Sequence, residues 1–247
     1  AYEMPSLVGS EMCIRDRASC SAGVAAWFLT ATSWATNYTP FIVPAGTTFT
    51  LNGGDSVTGT GSSTAIRVGG ATLNFGPGNI AIGNVDLGVF ATNGPAANIN
   101  FQTGTNVTIT TVTPTGLGLQ STVNSQAVFS LAPNSNVTIR GFQGVNLGHT
   151  PLGTSSQLNI GSGATLKIEA APAGGNPWPK GVMTSNNAAI SIAAGGVLDV
   201  QTTGGQYARG IELGYSLTYP ASVERKLTSA PGATLRVSTT GQTADGL

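Results

Sequence analysis

The sequence predicts an all-β fold, a parallel β-helix, which is a solenoid with three short strands in each coil. Three observations predict it: few charged residues, many glycines, and an apolar motif that recurs about every 30 residues. Only 8% of the 247 residues are charged, and 35 are glycine. β-Branched residues set among small polar ones are typical of short strands, and the scarcity of Lys, Glu and Gln disfavours exposed helices.

The recurring motif is a pair of apolar-x-apolar triplets, the second of which begins eight residues after the first. The pairs are 41–43 with 49–51, 99–101 with 107–109, 129–131 with 137–139, 158–160 with 166–168, 190–192 with 198–200, and Leu227 with 235–237. Ile66 and Leu73 form a variant pair that is one residue shorter. Because the spacing recurs along the chain, each pair is predicted to belong to one repeated coil.

A glycine followed by apolar residues precedes most pairs and supplies the third strand of a coil. These glycines are Gly88, Gly116, Gly144, Gly181 and Gly210. The second strands are predicted to start at residues 99, 129, 158, 190 and 227. Segments rich in Gly, Pro, Ser and Asn separate the triplets and are predicted to form the turns.

Strand geometry predicts which side chains face the core. Because successive side chains of a strand point to opposite faces, each triplet directs two side chains inward and one outward. One inward ladder is expected to comprise Val107, Val137, Leu166, Leu198 and Leu235. The outward positions hold polar residues, namely Thr108, Thr138, Lys167, Asp199, Glu212 and Arg236. Stacking of coils then buries a face that no single coil can bury alone.

A β-sandwich or a β-propeller is the rival architecture. Strands of a sandwich usually alternate over five or six residues. The apolar alternation in this chain usually stops after three, which favours the β-helix.

Residues 1–17 resemble a translated sequencing adapter and not native protein. The segments 7–11 (LVGSE) and 12–17 (MCIRDR) match common adapter sequence read in one frame. This segment is therefore not expected to contribute to the fold. Without Cys13, Cys20 is the one cysteine left, so no disulfide can form within the remaining chain.

Deletion of residues 1–17 is expected to leave the melting temperature unchanged, because an adapter-derived segment has not been selected to pack. Thermal unfolding of the full chain and the deletion variant, followed by circular dichroism, measures this. Slow hydrogen exchange at Met12 or Ile14 would contradict the adapter interpretation.

Residues 18–40 allow two interpretations, and residues 41–247 are predicted to form the β-helix. The run 22–29 (AGVAAWFL) is either the remnant of a signal peptide, with a small-residue cleavage site near Ala35, or an N-terminal cap strand. The run is too short to span a bilayer, so no direct membrane span is expected.

Residues 46–75 (GTTFTLNGGDSVTGTGSSTAIRVGGATLNF) resemble the passenger region of pertactin-like bacterial autotransporters. The resemblance extends more loosely over 41–247, through the Gly-Ala-Thr-Leu segments at 163–166 and 232–235. It implies a right-handed β-helix displayed at the surface of a Gram-negative cell, or secreted, and exported across the outer membrane through a C-terminal translocator barrel. We find no barrel-like segments up to Leu247, so we expect the chain to be a fragment of an adhesin-like passenger.

The chain offers few candidates for chemistry. Its acidic residues outside 1–17 are isolated in sequence, and glycosidases need a pair of carboxylates. Asp199 and Lys167 occupy equivalent outward positions and are expected to form a cross-strand ion pair. His149 is the one histidine and lacks partners for a metal site. We expect no catalytic site, no metal or other cofactor, and, because net charge is zero, no nucleic acid partner.

Two long loops interrupt the period and contain the candidate binding residues. The loop 171–180 contains Trp178, and the loop 214–226 contains Tyr215 and Tyr219. Insertions in solenoids often form binding faces, so these three residues are predicted to contact a glycan or a host-surface protein. Alternatively, they only shield the coil edge. The rival functional class is a fragment of a carbohydrate-active β-helix enzyme, a polysaccharide lyase or glycoside hydrolase.

Overall fold

The structure is a computed structural model that describes residues 35–92, 94–121, 125–148, 156–184, 187–214, 225–242 and 244–246. All of them belong to one compact unit within Ser33–Leu247. The predictions for residues 1–17 and for the run 22–29 fall outside the described residues. Among the residues described, none lies in a helix long and apolar enough to cross a membrane.

The described residues form twenty-two strands. The first eleven are β1 (Asn37–Tyr38), β2 (Phe41–Val43), β3 (Thr48–Leu51), β4 (Ser56–Thr58), β5 (Thr64–Val68), β6 (Thr72–Phe75), β7 (Gly78–Val85), β8 (Leu87–Ala91), β9 (Gly94–Phe101), β10 (Thr105–Thr111) and β11 (Leu117–Ser121). The others are β12 (Ser125–Leu131), β13 (Asn136–Gly141), β14 (Gln143–Leu147), β15 (Ser156–Ile160), β16 (Thr165–Ala170), β17 (Lys180–Thr184), β18 (Ala188–Ile192), β19 (Val197–Thr203), β20 (Arg209–Leu213), β21 (Arg225–Ser229) and β22 (Thr234–Thr240).

The strands form three parallel sheets, and successive strands visit the sheets in turn. Sheet A contains β1, β4, β7, β10, β13, β16, β19 and β22. Sheet B contains β2, β5, β8, β11, β14, β17 and β20. Sheet C contains β3, β6, β9, β12, β15, β18 and β21. This right-handed parallel β-helix confirms the predicted fold class, and the parallel pairing of every ladder excludes the sandwich alternative, whose sheets are antiparallel.

The predicted inward ladder is present in sheet A. Val107, Val137, Leu166, Leu198 and Leu235 pair in register from β10 to β22. The first four are buried, whereas Leu235 in the last strand is 36% exposed. Aromatic rings add to the core in sheet C, where Phe75 and Phe101 stack with their centroids 4.7 Å apart. The core therefore runs along the axis as ladders of like residues.

The predicted phase of the first coils was wrong. Phe41, Ile66 and Val89 share one register position in sheet B, so the triplets at Phe41 and Ile66 are first strands of their coils. The remaining strands of these coils, β4 and β7 in sheet A, were missed. In the first coils, the step from the sheet B strand to the sheet C strand is shorter than in most of the later coils. These two strands therefore show nearly the same spacing as the sheet C and sheet A strands of the later coils.

Sheet B carries a ladder of inward-facing glycines that determines how closely sheets A and B approach. Its members are Gly88, Gly118, Gly144, Gly181 and Gly210. A Cβ added at any of them would overlap a β-branched side chain of sheet A and, except at Gly210, a carbonyl oxygen of the next glycine in the ladder. The sequence motif had aligned Gly116 with this ladder, whereas the structure aligns Gly118. These glycines are core residues within strands. The sequence motif, in which a glycine precedes an apolar triplet, did not indicate that role.

Aromatic and acidic side chains close the first described coil. The rings of Tyr38, Phe41 and Phe49 pack against one another with centroids 4.8 to 5.7 Å apart. The buried carboxylate of Asp55 accepts hydrogen bonds from Thr36 N at 2.9 Å and Asn52 N at 2.7 Å. Asp55 therefore satisfies backbone N–H groups at this turn, which is a structural role.

Candidate functional site

Trp178 lies in the loop between β16 and β17, on the outside of the solenoid. Its side chain is 51% exposed. The indole packs edge-on against the ring of Tyr207, with centroids 5.4 Å apart and an interplanar angle of 83°. Tyr207 precedes β20 in the next coil and is 45% exposed. The loops of two successive coils thus present two half-exposed aromatic rings side by side.

Tyr207 was not predicted as a site residue, although the sequence contains a signal for it. Trp178-Pro-Lys180-Gly and Tyr207-Ala-Arg209-Gly are the same aromatic-x-basic-Gly pattern in successive coils. Lys180 and Arg209 are register partners in sheet B. Trp178 and Tyr207 each lie two residues before these partners, which places their side chains beside each other in adjacent coils.

Backbone hydrogen bonds between the two coils hold the aromatic pair in position. The Pro177 carbonyl accepts from Gln206 N at 2.9 Å and Tyr207 N at 3.3 Å, and Arg209 N donates to Pro179 O at 3.0 Å. The two prolines restrict φ on both sides of Trp178. Trp178 N also donates to Asn176 Oδ1 at 3.2 Å. The rings are therefore attached to backbone that is held from both sides.

Lys180, Arg209 and Glu212 form a charged cluster beside the rings. Lys180 Nζ lies 3.3 Å from Glu212 Oε2, close enough for an ion pair but without hydrogen-bond geometry. Arg209 Nη1 pairs with Glu212 Oε1. Burial lowers the pKa of Lys180, the carboxylate of Glu212 opposes that shift, and the charge of Arg209 adds to it. Two cations thus share one carboxylate in a partly desolvated place.

The four side chains Trp178, Lys180, Tyr207 and Arg209 line a cleft of about 280 Å³, which we call the aromatic cleft. Glu212 is outside that lining and holds the two cations from behind. A more open groove of about 680 Å³ lies against the same loops and is lined by Pro177, Gly205, Gln206, Gly241 and Gln242. The two depressions extend over successive coils on one side of the solenoid.

Tyr215 and Tyr219 lie outside the described residues, as does His149. Within the described ranges, no group of three or more His, Cys, Asp and Glu side chains is arranged to hold a metal ion.

The expected ion pair between Lys167 and Asp199 does not form. The two residues are register partners, but Lys167 Nζ lies 2.5 Å from Glu169 Oε1 in its own strand. Asp199 instead accepts from Gln201 Nε2 at 3.2 Å. Glu169 also accepts from Arg140 Nε at 2.7 Å, and hydrogen bonds from Lys167 and then Arg140 lower its pKa. Lys167 therefore pairs with Glu169, a nearer carboxylate on the same face of its own strand, and not with Asp199.

Comparison with known protein families, curated proteins and solved structures found no match to this chain. No activity or partner is therefore available from a relative.

Proposed function

We propose that the chain is a non-enzymatic display module, a β-helical stalk with an adhesive loop region. It would belong to the passenger of a type V (autotransporter) secretion protein. In this proposal the module lies at the cell surface or is secreted, after export across the outer membrane by a C-terminal translocator barrel of the same protein. Its partner is a host-surface glycan or protein, and it requires no cofactor.

The observation that carries the proposal is the continuous stacking of the coils from β1 to β22. Sheet A alone has eight strands in register order, which at about 4.8 Å per strand gives a length on the order of 35 Å. Each coil contacts its neighbours through buried ladders, so a loop on one coil has a fixed position relative to the other coils. Such a rod suits a module that holds a binding loop away from a surface.

The exterior of the rod supports the same function. Outward positions hold Thr, Asn and Ser that pair across coils, for example Asn100 Nδ2 with Asn74 Oδ1 at 3.0 Å and Ser191 Oγ with Asn159 Oδ1 at 2.7 Å. These groups satisfy one another and are well solvated. The exposed large apolar side chains Ile42 in β2 and Leu213 in β20 lie at the two ends of sheet B, far from one another, so recognition would concentrate in the loops.

The second candidate is a carbohydrate-active β-helix enzyme, and the charged cluster favours it. A lysine of lowered pKa beside an arginine and two aromatic rings could serve as a base near a bound sugar. The display function is preferred because Glu212 is already paired with both cations and does not line the cleft. In the enzyme interpretation, the isolated chain would shorten a polysaccharide.

The location of the chain tests the proposal. Antibodies raised against residues 41–247 are expected to label intact cells of the source bacterium as strongly as lysed cells. An antibody against a periplasmic protein serves as the control for leakage. Labelling that appears only after lysis, with no antigen in the culture medium, would contradict surface display or secretion.

A further inference from the structure

We infer that the aromatic cleft binds an acidic oligosaccharide, in which the rings of Trp178 and Tyr207 contact the sugar and Arg209 and Lys180 pair with its carboxylate. This inference rests on the adhesive part of the proposed function and names its ligand class. It combines three features: two aromatic rings held in position, two cations that share one carboxylate, and a neighbouring groove.

The aromatic rings provide an apolar contact for the C–H face of a pyranose. Trp178 and Tyr207 are 51% and 45% exposed, so each ring presents apolar surface to solvent. Rigid Trp and Tyr side chains supply a large contact area at low entropic cost. Because Pro177 and Pro179 flank Trp178 and the loop is hydrogen-bonded to the next coil, little order has to be created on binding.

The charges select an acidic sugar over a neutral one. Lys180 and Arg209 line the cleft, and Glu212 behind them balances one of the two positive charges. Arg209 uses Nη1 for Glu212, and its other guanidinium N–H groups make no hydrogen bond to the described residues. A guanidinium binds a carboxylate with two parallel hydrogen bonds. An incoming carboxylate would bind Arg209 next to Lys180, which is only 8% exposed.

The shape of the surface favours an oligosaccharide over a single small anion. Pro177 and Gly205, which line the neighbouring groove, belong to the loops that contain Trp178 and Tyr207, and Gln242 extends that groove to the following coil. A chain of sugar units could follow this side of the solenoid from one coil to the next. A free acetate or phosphate would contact the cations but leave both rings unused.

Titration calorimetry with oligogalacturonate, an oligomer of uronic acid, tests the inference on the full chain. The wild type is expected to bind it, and to bind a neutral gluco-oligosaccharide of the same length at least about tenfold more weakly. Affinity for the uronate should fall as ionic strength rises, because the carboxylate contact is screened. Equal affinity for both oligomers, or no binding of the uronate oligomer, would overturn the inference.

Three variants assign the binding to the cleft. Trp178→Ala is expected to weaken binding of both oligomers at least about tenfold, whereas Arg209→Gln should weaken only the uronate. Arg67→Gln is the matched control, since Arg67 is exposed on sheet B several coils away and should bind like the wild type. Circular dichroism melting confirms the fold of each variant. Unchanged binding by folded Trp178→Ala and Arg209→Gln would remove the cleft as the site.

The outcomes separate this inference from the proposed function. Surface labelling without uronate binding would support the display function and contradict the inferred ligand class. Uronate binding with release of shortened products would support the site and contradict a non-enzymatic role.

Discussion

Replacement of Leu166 by aspartate is expected to lower the free energy of unfolding by about 4 kcal/mol or more. Leu166 is fully buried in β16, between Val137 and Leu198 in the inward ladder. The variant loses the apolar contacts of leucine and places a carboxylate where no donor can compensate for lost water. Urea unfolding of the variant and the wild type, followed by circular dichroism, measures the difference.

Two outward positions supply the controls for Leu166→Asp. Thr138→Asp places the same carboxylate in the neighbouring strand, opposite the ammonium group of Lys167, and should change stability by no more than about 0.5 kcal/mol. Lys167→Ala should also cost little, because the Lys167 side chain is 37% exposed. If inward and outward aspartates were equally tolerated, the assigned faces of the strands would be wrong.

The second large effect is expected at Gly144, where alanine should lower stability by about 2–3 kcal/mol. An added Cβ would lie 2.5 Å from the carbonyl oxygen of Gly181 and closer still to Ile168 Cγ2. The carbonyl belongs to the backbone of the next coil and cannot move without disturbing the ladder. The sign is opposite to the usual one, since alanine in place of a strand glycine otherwise stabilises.

Gly83→Ala is the matched control, because Gly83 also lies in a strand and an added Cβ there meets nothing within 4 Å. This variant is expected to be as stable as the wild type or slightly more stable. Melting temperatures of the two alanine variants, compared with that of the wild type, decide the matter. A Gly144→Ala protein with wild-type stability would show that sheets A and B do not approach as closely as described.

The candidate site was predictable only in part. The loop that contains Trp178 stood out because it interrupts the period and contains an aromatic residue. Tyr207 did not stand out, because the aromatic-x-basic-Gly pattern that it shares with Trp178 gains meaning only once the two coils are aligned. Its importance comes from the register of β17 with β20, which places it against Trp178. The same register places Lys180 and Arg209 side by side in the lining of the cleft.

The sequence by itself determined the fold class, the strand faces and the ladder from Val107 to Leu235. These features are local, because a strand alternates its side chains with a period of two and the turns are marked by their residue types. Only the tertiary structure decided the phase of the first coils, the glycine ladder beside Ile168, the partner of Lys167, and the pairing of Trp178 with Tyr207. Except for the ion pair of Lys167 with Glu169, each of these features depends on contacts between residues about one coil apart, which is roughly 30 residues in sequence. Turn lengths set which residues meet across that distance, and a difference of a few residues in one turn changes the pairing between the coils that it joins.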